Sequence, residues 1–200
     1  MNFRYEDSFP KLPDDIVAEI YKLIENSIVS SDSSLQLNAV DKELLDELRS
    51  FTYNKADSLG FPMHTASEYF NNLATFDFLP VTSLINDWIN DNINPKPELV
   101  TIQVMHDGST ITPHVDEGRT GVYNYILETG GGVTKFYKNA KEFQHLTAYP
   151  QTIFTYDRIE EIETVDIEKN RWHYIDVSKI HNVENIQPSQ KRISLSLSYV

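Results

Sequence analysis

The segment ITPHVDEGR, residues 111–119, carries the residues best suited to chemistry. His114 and Asp116 are two apart, and in an extended chain residues i and i+2 point to one face. An imidazole nitrogen and a carboxylate oxygen can then converge on one cation. The chain has six histidines and no cysteine, so any metal is held by nitrogen and oxygen. That suits Fe(II), Mn(II), Mg(II) or some Zn(II) sites and excludes iron–sulfur clusters, thiolate nucleophiles and disulfides. The best third donor is His181, in KIHNVENIQPSQKRISLSLSY. Two histidines and one carboxylate on one face of an octahedral ion leave three positions open. Two of those suit a bidentate cosubstrate and one suits dioxygen, whereas structural zinc wants a closed tetrahedron.

Arg192 follows His181 by eleven residues, just after the turn-like segment 187–190. It opens a strand, with Ser194 on the same face. A guanidinium fork beside a hydroxyl is a natural carboxylate anchor. Donor triad and anchor together make a complete site for a dicarboxylic keto acid. The remaining histidines fit less well. His173 stands where a distal ligand could, but Glu184 lies where an arginine would be wanted; His106 and His145 read as core or partly exposed residues. The glycines 130–132 lack a P-loop lysine and a following helix, and read as a tight turn. No Gly-x-Ser-x-Gly elbow occurs.

These side chains must be carried by elements. Over the first ninety or so residues the apolar period is helical. One helix follows Pro13 with Ile16, Ile20, Leu23, Ile24 and Ile28 on a stripe, and Asp14 and Asp15 at its positive end. A second runs from about Asp41 with Leu44, Leu45, Leu48 and Phe51. A third starts near Thr82 with Leu84, Ile85, Trp88 and Ile89. From Leu99 the pattern turns to short strands: 99–106, 121–127, 133–137, 152–156, 162–167, 172–177 and 192–199. The fold expected is mainly β with N-terminal helices, a sandwich or barrel rather than alternating β-α-β units. It reads as one domain over 1–200, with 1–95 mainly helical support and 96–200 the β core. In the last strand Arg192, Ser194, Ser196 and Ser198 share one face, and Ile193, Leu195, Leu197 and Tyr199 the other. The polar face either meets water or lines a cavity while the apolar face packs under the helices.

Two hundred residues suffice for a sizeable core. A formal charge of −13, with 17 Lys and Arg and no long basic run, disfavours nucleic acid as partner. No run of 18 apolar residues predicts a membrane span. The first fifteen residues lack the pattern of a secretory signal, so a cytoplasmic location is expected. Oligomeric state has no signature.

With these residues in view, the stretch from about Leu99 to Tyr199 resembles the double-stranded β-helix (jelly-roll, cupin-like) core of the Fe(II)/2-oxoglutarate-dependent dioxygenases. That family carries His-x-Asp…His, then an Arg or Lys about ten residues on, often with Ser or Thr two further. Here those positions hold His114, Asp116, His181, Arg192 and Ser194. ITPHVDEGR, GVYNYIL and GGVTKFY resemble the prolyl-hydroxylase and aspartyl/asparaginyl-hydroxylase-like branches, including small phage and bacterial members. The resemblance implies Fe(II) and 2-oxoglutarate as cofactors, O2 as co-reactant, and a hydroxylase of a peptide side chain or small molecule that releases succinate and CO2. The prolyl-hydroxylase branch often has a Tyr on the strand before His-x-Asp, where TIQVMHDG supplies only Gln103 and His106. Asn124 or Tyr123 is the replacement in holding 2-oxoglutarate, unless Asn124 merely bonds nearby backbone. Arg119 touches substrate, steadies the loop after Asp116, or is a solvated charge. Two rivals differ in kind: a cupin-like metal enzyme that does not use 2-oxoglutarate, and a non-catalytic binding module.

Overall fold

The computed structural model describes residues 1–29, 42–73, 76–106, 108–139, 145–148 and 151–199. The N-terminal region forms strand β1 (Phe3–Tyr5) and helices α1 (Asp14–Val29), α2 (Lys42–Leu59) and α3 (Met63–Leu73). Strand β2 (Phe76–Pro80) and helix α4 (Ser83–Asn92) follow. Ten further strands complete the chain: β3 (Leu99–Met105), β4 (His114–Asp116), β5 (Gly121–Thr129), β6 (Val133–Asn139), β7 (His145–Ala148), β8 (Gln151–Phe154), β9 (Ile159–Val165), β10 (Trp172–Ile175), β11 (Ile180–Glu184) and β12 (Arg192–Tyr199).

These strands build two six-stranded antiparallel sheets, ordered β1-β10-β5-β12-β3-β2 and β7-β8-β4-β11-β6-β9. Both are open. The first ends in β1 and β2, the second in β7 and β9, and among the described residues no ladder joins an edge to an edge. The mainly-β, double-stranded β-helix or jelly-roll core expected from the sequence is therefore corrected to a mixed α/β fold with two open sheets. Strand count and spacing predicted closure, but closure requires edge strands to pair. Here the first sheet instead spends its apolar outer face on helices. Ile193, Leu195 and Leu197 of β12 and Ile102 and Val104 of β3 share one core cluster with Ile16, Ile20 and Ile24 of α1 and Ile85 and Ile89 of α4. Nor do the helices wholly precede the sheets, since β1 and β2 come from the first eighty residues.

Period-3.6 spacing accounts for α1 and α4: Ile16, Ile20, Ile24, Ile85 and Ile89 are buried as expected, whereas Leu84 of the α4 stripe is 47% exposed. In α2 the buried positions include Thr52 and Ala56, while Phe51 is 63% exposed. The α2 stripe is thus rotated from the one expected. Asp41 and the side chains of Leu44, Leu45 and Ile28 lie outside what is described, as does most of the segment between Lys138 and Gln151. Among the described residues no helix is long and apolar enough to cross a membrane.

Candidate active site

Register brings the first donors together. His114 on β4 and His181 on β11 are direct cross-strand partners, and their rings lie 4.4 Å apart between centroids. Asp116, two residues along β4, points to the same side. All three are buried. They line one cavity of about 130 Å³ between the sheets, and Arg192, Ser194, Ser196 and Asn124 line it from the opposite sheet.

Each imidazole is oriented from behind. The His114 Nδ1–H donates to the Thr112 carbonyl at 2.8 Å, and the His181 Nδ1–H donates to the Lys179 carbonyl at 2.9 Å. A carbonyl only accepts, so Nδ1 carries the proton in both rings and Nε2 keeps its lone pair in the neutral form. Burial pulls His114 well below the usual histidine range, and charge on His181 adds to this, while Asp116 opposes it. The neutral His114 ring is thus the form favoured near neutral pH. His114 Nε2 then faces Asp116 Oδ1 at 3.6 Å with no hydrogen between two lone pairs. Burial pushes Asp116 up, but positive charge on His114 and His181 whenever either ring is protonated, together with Arg119 and a bond from Gln151, outweighs it and holds the carboxyl below its ordinary value. Two lone-pair donors turned toward each other in a dry site are repulsive unless a cation lies between them.

The donor set thus fits a divalent ion in kind: two imidazoles whose Nδ1–H groups are tied to backbone carbonyls, and one carboxylate. It stands somewhat open. Two cis donors on bonds of about 2.1 Å would be about 3 Å apart, and among the described residues no group of three His, Asp or Glu is closed to full metal-binding spacing.

Arg192 faces the donors from β12. It is 5% exposed, and among the described residues its side chain donates one hydrogen bond, from Nη2 to Thr134 Oγ1 on β6 at 3.3 Å. Nη1 is buried with no hydrogen-bond partner among the described residues. Desolvation pushes this guanidinium down to about 10, with Asp166 pulling the other way; it still carries its charge at neutral pH. The alternation in β12 resolves inward: Arg192, Ser194, Ser196 and Ser198 are all buried, and the first three line the cavity. Asn124 faces Ser196 across the ladder, and its Oδ1 has no partner among the described residues. It does not serve nearby backbone through that atom.

Comparison with solved structures finds partial likeness to oxygenases and decarboxylases. The ribosomal oxygenase YcfD of Escherichia coli is 16% identical over 54% of this chain and 25% of its own, with a TM-score of 0.36. A 2OG-Fe(II) oxygenase family oxidoreductase of Burkholderia pseudomallei is 13% identical over 66% of this chain and 56% of its own, at 0.34. Oxalate decarboxylase of Lactobacillus farciminis is 11% identical over 62% and 28%, at 0.34. The chain therefore spans about a quarter to a half of these proteins' lengths. No family model matches it, and no curated protein does. The likeness reaches both 2OG-Fe(II) oxygenases and oxalate decarboxylases and singles out no branch.

Other histidines lie elsewhere. His173 sits on β10 as the cross-strand partner of Asn124 and is fully buried. His106 pairs with Asp77 at 2.6 Å. Residues that sequence reasoning did not raise also reach the cavity: Tyr69 from α3, Thr134 from β6 and Gln151 from β8. Tyr69 sits on a helix that the sequence reading did not foresee. Gln151 carries no motif, and only the β4–β8 ladder, pairing Asp116 with Gln151, reveals it.

Proposed function

We propose that this protein is an Fe(II)- and 2-oxoglutarate-dependent oxygenase that hydroxylates a peptide side chain or small molecule. The observation that carries the reading is a single cavity holding two opposed features: two imidazoles and a carboxylate on one wall, and on the other a buried guanidinium with Nη1 unpartnered among the described residues.

In this reading His114, Asp116 and His181 hold the ion. The Thr112 and Lys179 carbonyls keep the two Nε2 atoms turned inward, the usual way a ligating histidine is fixed. Asp116 supplies one negative charge, which lowers the net charge at the centre. Arg192 binds the far carboxylate of 2-oxoglutarate. Its single hydrogen bond among the described residues leaves donors free for that purpose, and burial makes an anionic partner worth more than it would be in water. Ser194 adds a hydroxyl from the same strand face, and Asn124 offers an amide beside it. Fe(II), when bound, supplies dioxygen activation coupled to decarboxylation of 2-oxoglutarate to succinate and CO2. Phe76, Phe78, Met105 and Ile111 line the same cavity and limit water, leaving a mostly apolar space for the substrate carbon.

An anaerobic titration tests this. Fe(II) protein with added 2-oxoglutarate should develop a weak visible charge-transfer band. The band should be lost in His114→Ala and greatly weakened in Arg192→Ala. Metal uptake with no response to 2-oxoglutarate would sink the cosubstrate assignment. Failure to take up any divalent metal would leave the binding-module reading.

A further inference from the structure

Asp116 is gripped from two sides. Its Oδ2 meets Arg119 Nη2 at 2.9 Å, and its Oδ1 accepts from Gln151 Nε2 at 2.9 Å. Because a carboxylate only accepts, the amide nitrogen of Gln151 must be the end that faces it. Arg119 can reach back three residues because Gly118 turns the chain with φ +75°, a left-handed conformation that glycine adopts without strain. Its Nη1 donates to Ser198 Oγ on the opposite sheet at 3.1 Å. The guanidinium is therefore stretched between the two sheets, and is no solvated charge.

We propose that Arg119 and Gln151 are positioning residues that make Asp116 a donor through Oδ1 alone; this rests on the metal-centre reading above. A free carboxylate binds an ion through one oxygen or both. Two-oxygen binding would consume one of the three positions that cosubstrate and dioxygen need. Arg119 engages Oδ2, so chelation through it would break a mostly buried, charge-assisted contact. Gln151 sets the rotation of the carboxylate so that Oδ1 faces His114 Nε2. Neither residue touches the reacting atoms; both act through Asp116.

Arg119 also has an electrostatic effect of opposite sign, which makes the test decisive. As a bare positive charge it repels a dication, so its removal would tighten metal binding. As a positioning residue its removal weakens it. Mn(II) binding to the full chain, followed by electron paramagnetic resonance, separates the two. Loss of an outer partner of this kind typically costs 10- to 100-fold in metal affinity. Arg119→Ala is expected to bind Mn(II) about 10-fold more weakly than wild type, with Arg119→Lys in between. Gln151→Met, neutral and similar in size, should also lose about 10-fold. Wild-type or tighter affinity in Arg119→Ala overturns the proposal for Arg119, and wild-type affinity in Gln151→Met overturns it for Gln151. Should Arg119→Ala fail to fold by circular dichroism, Arg119→Lys takes its place, and undiminished affinity there overturns the Arg119 role. If wild type itself takes up no Mn(II), the metal-centre reading falls, a result distinct from failure of the positioning role.

Discussion

In the proposed function, Arg192 is the residue on which cosubstrate recognition turns. A guanidinium only 5% exposed, with one donor unmatched, is costly unless an anion completes it. Arg192→Ala should raise the 2-oxoglutarate dissociation constant by the equivalent of about 2–5 kcal/mol, with little change in Mn(II) affinity. Arg192→Lys should recover only part of this, because an ammonium cannot reproduce a planar fork. Isothermal titration of the Mn(II) protein with 2-oxoglutarate measures both, and wild-type affinity in Arg192→Ala would remove this residue from the site. Asp116→Ala removes the lone carboxylate from the donor set, so its Mn(II) binding should fall below detection while its thermal midpoint without metal stays near wild type. A collapse of that midpoint would make Asp116 structural instead.

At the scale of elements, the turn that follows β5 controls how Arg192 is presented. Gly130 has φ +60°, and a Cβ there would lie 2.9 Å from the Lys191 carbonyl carbon and 3.0 Å from its oxygen. Gly130 also accepts a 2.7 Å bond from Gln187 N, which ties the turn to the segment leading into β12. Backbone cannot swing away as a side-chain tip would. Gly130→Ala should therefore cost about 1–3 kcal/mol and weaken 2-oxoglutarate binding as well, because the displaced backbone is that of Lys191 and Arg192. Thermal melts and the same titration check this; an unchanged midpoint would mean that the turn relaxes freely. The ladders matter equally. A slip of one residue between β4 and β11 would send His181 to the outer face of its sheet, because side chains alternate.

For the whole molecule, stability should depend on pH through His173. Burial, reinforced by the charge of Arg192, pushes this ring down to about 3 from an ordinary 6.5, with the Arg171 backbone opposing weakly. The folded state holds the ring neutral where the unfolded chain would protonate it. Stability from this source is fully present above about pH 6.5 and declines as pH falls toward 3. Each tenfold difference in proton affinity is worth about 1.4 kcal/mol, so the total loss is a few kcal/mol at most. Urea unfolding between pH 7 and 4 should show this fall, and His173→Gln should flatten it. An identical slope in the variant would assign the acid sensitivity to other groups.

Much of the site was legible because it rests on local geometry. The i, i+2 spacing of His114 and Asp116 puts them on one face in any extended segment, and the Arg192–Ser194 alternation does the same. The periods of α1 and α4 are equally local. Other features are properties of pairing between distant segments. That His181 meets His114 is a fact of the β4–β11 register. That Ser194 and Ser196 face a cavity and not water depends on which side α1 and α4 cover. Gln151 gains its role only through the ladder with Asp116, and Arg119 only by reaching Ser198 across the gap between sheets.

The sequence by itself determined the residue chemistry: which groups can donate to a metal, which can hold a carboxylate, and which strand and helix faces are apolar. The tertiary structure alone decided that the two sheets stay open, because edge pairing is a long-range choice that strand spacing does not encode. It also decided that the donors and the arginine face each other across one cavity, since packing chooses which faces of two sheets are turned together.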